Sequence, residues 1–262
     1  MVDVNVFLEI DLSRAEERVL LMLTNDANDR KIARALPGEF DSYRHTASRI
    51  YGIAERDVTP TQRYLGKRTT LAAQRGLGPE RMVDEVSKDD VYIVIHEAEK
   101  SLRTYHAEHP GIEGHYFPDI RKQVARFRGL ANSWGRIIRF DDERLNDEVY
   151  RQSYSFLPQS EVADVINQYG VVPLWKWLPS HAKGAQINAT VHDSILVSCH
   201  PDDAINIAVF LQHSLERPRL YAGEPMTIPI EFKLGASWAM KHEFKRLPTR
   251  AEFTAAAWDC AS

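Results

Sequence analysis

The sequence has two cysteines, Cys199 and Cys260, too few for a structural zinc set and no basis for a disulfide framework. No run of about 18 apolar residues occurs, so no membrane-spanning helix and no membrane partner are expected. The start, Met-Val-Asp-Val-Asn, lacks a basic stretch and an apolar signal core, and a cytoplasmic location, in a bacterium or an infected host, is the expectation. There is no internal repeat and no excess of positive charge. The 33 Lys and Arg against 37 Asp and Glu leave a net charge of −4, which alone argues against a nucleic-acid partner, although clustering counts for more than the sum. What is present suits a soluble globular chain. The 262 residues, 44% hydrophobic and 27% charged, can bury a core as one large domain or two lobes.

The most informative stretch is Thr190-Val191-His192-Asp193-Ser194-Ile195-Leu196-Val197. Two apolar runs flank a polar break, which predicts two antiparallel strands and a tight turn with Asp193 at its tip. A carboxylate mounted there is reachable and rigid, as a metal ligand must be, but one carboxylate cannot hold a pair of ions. A second candidate is Asp11, at the end of a predicted strand whose Val4, Val6, Leu8 and Ile10 share one face.

The remaining pattern predicts a helix over 14–24 capped by Ser13 and ended by Asn25-Asp26-Ala27-Asn28, and another over 41–51 stopped by Gly52. Thr59 and Gln62 have capping-box spacing around Pro60, so a helix should run from there to about Arg75 and end at Gly76. Helical patterns follow over 89–106, closed by Pro110-Gly111, and over 116–128. A hairpin is predicted over 129–140 and a long helix over 148–175. After the 187–198 hairpin come a helix over 201–215, with Ser198 or Asp202 near its start, a strand over 226–232, and an alanine-rich tail, helical or loose.

The helix from Pro60 places Arg63, Lys67, Leu71 and Arg75 at four-residue steps. Arg63 and Lys67 lie near its N-terminus, where free N–H groups already favour anions, so they form either a cradle for a triphosphate or a solvated basic face. Arg121, Lys122, Arg126, Arg128, Arg136 and Arg139, interleaved with aromatics, suit phosphate contact or ordinary surface charge equally well. His106, His109 and His115 lack an accompanying cysteine or carboxylate triad, so no zinc site is expected there.

In order, strand–Asp11–helix, Arg63 through Gly76, Arg151 with Gln159, and His192-Asp193 resemble the family A DNA polymerases, the bacterial polymerase I type. Glu9-Ile10-Asp11-Leu12-Ser13-Arg14-Ala15-Glu16-Glu17-Arg18 resembles motif A, which runs Asp-Tyr-Ser-Gln-Ile-Glu-Leu-Arg. Thr61 through Gly76 resembles motif B, and Val191-His192-Asp193 resembles motif C. The resemblance implies an α+β fold: a polymerase palm, an antiparallel sheet backed by helices, with a mainly helical fingers subdomain. Palm would span 1–30 and 142–246, fingers 31–141, and a tail 247–262.

It also implies roles. Asp11, the Leu12 carbonyl and Asp193 would bind two Mg2+ ions, with Mn2+ as a substitute, for template-directed transfer from a dNTP to a primer 3′-hydroxyl. Arg63 and Lys67 would grip the triphosphate, with Lys67 the acid for departing pyrophosphate. Glu16 would be the gate against a ribose 2′-hydroxyl, and Tyr43 and Leu71 would also contact the nucleotide. Arg75, Arg151, Gln159 and His192 would contact primer-template DNA, and Arg18 would pack the palm. Departures from the family pattern are Leu71 and Arg75 in place of aromatics, Tyr43 for a histidine, Ser155 for an asparagine and Ser194 for a carboxylate. An ion pair of Glu16 with Arg75 is expected to close the sugar pocket.

In the family, the thumb and any exonuclease precede motif A. With ten residues before Asp11, the expectation is palm and fingers alone, as in the C-terminal subunit of a split, phage-like polymerase, with a second polypeptide supplying the thumb and possibly an exonuclease. The readings from other classes are a catalytically silent DNA-binding or scaffolding subunit of a replication complex, and a primer-making or RNA-directed enzyme.

Overall fold

The computed structural model describes residues 5–89 and 91–261. Val4, expected on the first strand, Asp90, expected in a helix, and Ser262 of the tail lie outside the described residues.

In chain order the elements are β1 (Val6–Leu12), α1 (Ala15–Leu23), α2 (Ala27–Arg34), α3 (Ser42–Tyr51), α4 (Pro60–Gln74), α5 (Pro79–Ser87), α6 (Ile95–Glu108), α7 (Phe117–Phe127), β2 (Gly129–Ala131), β3 (Ile137–Arg139), α8 (Asp147–Val165), α9 (Val172–His181), β4 (Gln186–Val191), β5 (Ser194–Cys199), α10 (Pro201–Leu215), β6 (Arg219–Tyr221), β7 (Glu224–Met226), β8 (Ile230–Gly235), β9 (His242–Phe244) and α11 (Arg250–Ala261). They fall into two compact units, 1–15 with 161–262, and 16–160.

The first unit is built on a five-stranded sheet of order β4-β5-β1-β8-β9, antiparallel at every pairing. β1 is central because it alternates. Val6, Leu8, Ile10 and Leu12 are fully buried on one face, while Phe7, Glu9 and Asp11 of the other are partly exposed. β8 repeats the period with Ile230, Phe232 and Leu234 buried, as a strand with one covered face must. The covering helices are α10 and α11, both packed against β1 and β8. Phe253 of α11 is fully buried against Phe232, so the tail is a packed helix.

The second unit is mainly helical. α3 packs along α4, and α6 packs on α3, α4 and α5. α4 starts as the sequence predicts: Thr59 and Gln62 close the capping box and Pro60 occupies the first turn. Asp41 caps α3, and Gly52 ends it in the left-handed region at φ 66°. The 129–139 hairpin is also present, as the pair β2-β3.

Several boundaries differ from expectation for local reasons. Arg14 is left-handed (φ 51°), so α1 begins at Ala15, and the Ser13 hydroxyl donates to Glu231 Oε1 at 2.8 Å. The first helix ends at Leu23, just ahead of the stretch expected to end it, and that stretch also starts another. Asp26 accepts from the backbone N–H groups of Asn28 and Asp29, capping α2. α5 was not anticipated, although Pro79 marks its first turn. α6 ends at Glu108, just ahead of Pro110-Gly111 as expected, and the same pair opens the next helical segment, since a proline costs least in a first turn. A π turn at Ile112–Tyr116 then leads directly into α7. A second π turn, Ile166–Val171, joins α8 to α9, so helical structure extends past Trp175 to His181. His200 rather than Ser198 or Asp202 caps α10, its Nδ1 accepting from the Asp202 N–H. The expected strand at 226–232 is two, β7 and β8.

Candidate active site

Strand register brings the two carboxylates of the first unit together. Asp11 pairs with Ser194 across β1 and β5, and the Leu12 N–H donates to the Asp193 carbonyl at 3.0 Å. Asp193 is therefore at the rim of the strand pair, beside Asp11. The turn closes because His192 takes a left-handed conformation, φ 54°, which histidine tolerates better than most side chains. The Ser194 hydroxyl donates back to the Val191 carbonyl at 3.0 Å.

The partly exposed face of β1 and β8 is charged. Glu9 stands opposite Lys233, and Asp11 opposite Glu231. Lys233 Nζ is 3.0 Å from Glu9 Oε1, while Glu231 accepts from Ser13 and Lys245. Asp11 makes no hydrogen bond or ion pair among the described residues. Burial first, and the Asp193 charge second, push its carboxyl from the ordinary 3.8 up to about 7, against the opposing pull of Lys233. A largely buried carboxylate beside another is costly to ionise.

The cation-bearing group of the second unit lies on α4. Arg63 and Lys67 both stand over the Tyr43 ring of α3, their charges 5.4 and 6.0 Å from its centre. Asp41, read from the sequence only as a helix start, holds this arrangement: its Oδ1 accepts the Arg44 N–H at α3's start and its Oδ2 accepts Arg63 Nε at 2.7 Å. Burial opposes ionisation of Asp41, but its bonds to Arg63 and the Arg44 N–H, with both charges, hold its carboxyl below the usual range. The signal that could have found it is an aspartate at a helix start two residues before Tyr43.

α3 and α4 approach closely because residue 66 is glycine. A Cβ there would stand 2.1 Å from the Tyr43 carbonyl oxygen. Farther along α4, Arg75 Nη2 is 3.6 Å from Glu16 Oε2, the pairing expected from the sequence, and Leu71 is partly buried. Arg18, fully buried, donates Nη1–H to the Ala33 carbonyl.

Arg151 and Gln159, expected to meet DNA, share a cleft of about 400 Å3 in the second unit with Arg75, Arg81 and Ser155. His192 is exposed in the first unit. The long basic stretch is largely spent internally. Arg121 donates to the Tyr154 hydroxyl, Arg128 to the Asp141 and Glu143 carbonyls, and Arg139 pairs with Asp141. His106, His109 and His115 each face a different carboxylate, Glu113, Asp29 and Asp119. Among the described residues no group of three or more His, Cys, Asp or Glu is placed to hold a metal ion, and no helix is long and apolar enough to cross a membrane.

The family model described as DNA polymerase family A matches residues 2–240. The chain is 24% identical over 246 residues to a thermostable DNA polymerase I of Thermus thermophilus, covering 91% of this chain and 27% of that one. It is 22% identical over 242 residues to DNA polymerase I of Pseudomonas aeruginosa (90% and 25%) and 21% identical over 220 residues to the DNA polymerase of Bacillus phage SP01 (82% and 23%). The chain thus spans about a quarter of the length of these curated relatives. The polymerase domain of Pol1 from M. smegmatis, solved in complex with DNA primer-template and dNTP, has the same fold, with a TM-score of 0.71 at 19% identity over 98% of this chain and 41% of that one.

Proposed function

This chain belongs to DNA polymerase family A, and from that premise we propose that it carries the catalytic portion of a template-directed DNA polymerase, joining a dNTP to a primer 3′-hydroxyl. The observation that carries the reading is the register that sets Asp11 beside Asp193. Asp11, the Leu12 carbonyl and Asp193 are the oxygen donors for two Mg2+ ions, with Mn2+ as a substitute. The fit is chemical: the donors are all oxygen, as hard cations require, and Asp11 is a carboxylate that has no hydrogen-bond or ion-pair partner among the described residues and resists ionisation. When bound, such ions activate the attacking hydroxyl and neutralise charge on the phosphates.

The other roles are carried by residues of both units. Arg63 and Lys67 hold the triphosphate, with Tyr43 and Leu71 beside the nucleotide, and Lys67 supplies a proton to pyrophosphate. Their stacking over one ring supports this, since it presents two cations side by side. Arg75 lies by the templating base, Arg151 and Gln159 contact the duplex, and His192 contacts the primer end. Residues 1–30 and 142–246 act as palm and 31–141 as fingers. The functions carried by the remaining length of the relatives, a thumb among them, come from outside these 262 residues, on the same chain or a second polypeptide.

The deciding experiment is primer extension by the 262-residue chain with Mg2+, comparing wild type and Asp193→Asn, alone and with a second polypeptide that supplies a family A thumb. Extension by wild type and none by the variant is expected. DNA binding without extension under any condition would favour a silent scaffold instead. A further expectation concerns the sugar. Glu16, fixed by Arg75, should exclude a 2′-hydroxyl, so Glu16→Ala should raise ribonucleotide incorporation relative to deoxynucleotide by about tenfold or more, the scale of one lost steric or polar discrimination. An unchanged ratio would show that the pair does not face the sugar.

A further inference from the structure

Three arginines line the cleft that holds Arg151 and Gln159, and each is held by a carboxylate. Arg75 is paired with Glu16. The other two share one partner: Glu148 Oε2 lies 2.8 Å from Arg151 Nη2 and 3.0 Å from Arg81 Nη1. Arg81 and Glu148 are 67 residues apart, on α5 and α8, and neither has a role in the reading above. One oxygen that bridges two guanidinium groups on different helices is the arrangement a phosphate oxygen takes between two arginines.

The site has a second mark. Arg151 is 17% exposed, and its Nε is buried without a hydrogen-bond acceptor among the described residues. An unsatisfied buried donor on a cation calls for an anion or water that Glu148, bound at Nη2, does not supply. Gln152, Ser155 and Gln159 add neutral donors and acceptors to the same cleft. Glu148 itself is half exposed, so its hold on the arginines is the weak, exchangeable kind. Both arginines depress its carboxyl below the usual range, Arg151 first, so it is ionised wherever the protein is assayed.

The geometry points to Arg81 and Arg151 as a two-arginine subsite for a backbone phosphate of the bound nucleic acid, with Glu148 as an internal phosphate mimic that occupies the subsite until DNA displaces it. This rests on the polymerase reading, which makes primer-template DNA the ligand of the cleft, and adds to it a residue that contacts DNA, Arg81, and one that sets its affinity, Glu148. Displacing Glu148 costs an ion pair already made. Removing its charge should therefore tighten binding.

The test is equilibrium binding of the full chain to a fluorescent primer-template duplex over a range of salt, with Glu148→Gln, Arg81→Ala and the double variant. Gln keeps the shape of the side chain and drops its charge. Glu148→Gln should bind about three- to tenfold tighter at low salt and steepen the slope of log affinity against log salt, whereas Arg81→Ala should weaken binding and reduce that slope by about one. In the double variant the gain should vanish. Unfolding temperatures of all three should stay near wild type, as expected for half-exposed positions. If Glu148→Gln leaves affinity and slope unchanged while Arg151→Ala lowers both, Glu148 is a structural staple and the subsite is refuted. If wild type fails to bind primer-template at all, the polymerase reading falls with it.

Discussion

Asp11→Asn is expected to abolish nucleotide incorporation and, at the same time, to stabilise the fold at neutral and alkaline pH. The first effect follows from the proposed chemistry. Phosphoryl transfer depends on positioning and charge neutralisation, so loss of one of two metal-holding carboxylates should lower the extension rate by about a thousandfold or more. The second follows from the cost of ionising Asp11. Its carboxyl sits at about 7 in the fold against 3.8 ordinarily, with burial the larger cause and Asp193 the next. The folded state then binds more protons than the unfolded chain between these values. The stabilising contribution is fully present below about pH 4 and is lost as pH rises towards 7. That difference corresponds to about 4 kcal/mol at most, and sharing of the proton with Asp193 brings the expected gain in the variant nearer 2 kcal/mol. That is a rise of about 5 °C in unfolding temperature at pH 8 and almost none at pH 4. Mg2+ should raise the wild-type unfolding temperature at pH 8 and leave the variant's unmoved. A variant that is less stable than wild type at pH 8 in chelator would contradict this account of the pair.

Gly66→Ala should produce the largest loss of stability of any single methyl group added to α4. Helix propensity alone predicts a gain of about 1 kcal/mol, because glycine is a poor interior helix residue. The packing predicts the opposite. The added carbon would lie 2.1 Å from the Tyr43 carbonyl oxygen and 3.0 Å from the Ala47 nitrogen. Both are backbone atoms of α3 and cannot swing aside as a side chain would. α3 and α4 must separate, and overpacking of this kind costs about 2–4 kcal/mol. A fall of about 5–15 °C in unfolding temperature is expected. The sign of the change decides between propensity and packing. Separation would also lift Tyr43 away from Arg63 and Lys67, so the KM for dNTP should rise more than kcat falls. An unfolding temperature equal to or above wild type would show that the two helices are not locked at this point.

Much of the local structure around the candidate site was legible in the sequence because its signals are local. The alternating burial of β1, the His192-Asp193 break between apolar runs, and the Thr59-Pro60-Gln62 start of α4 each depend on residues within one turn or strand. So do the spacings that put Arg63, Lys67, Leu71 and Arg75 in file. Local competition misled the reading in other places. Asp26, read as part of a helix end, is also the cap of the next helix, and Pro110, read as a stop, is also a first-turn residue. Ser13 reads as a cap, but its hydroxyl donates to Glu231, a residue far away in the sequence.

The sequence by itself determined the chemistry available here: two carboxylates on strand ends, two cations at a helix start, and the motif order of family A. Only the tertiary structure decided which of these groups stand unpaired and which are already held. Asp11 makes no hydrogen bond or ion pair among the described residues, Arg63 is held by Asp41, and Arg81 and Arg151 are bridged by Glu148. The physical reason is that ion pairing and burial depend on distance through space. β1, β5 and β8, or α5 and α8, bring together residues whose separation along the chain carries no periodic or capping signal.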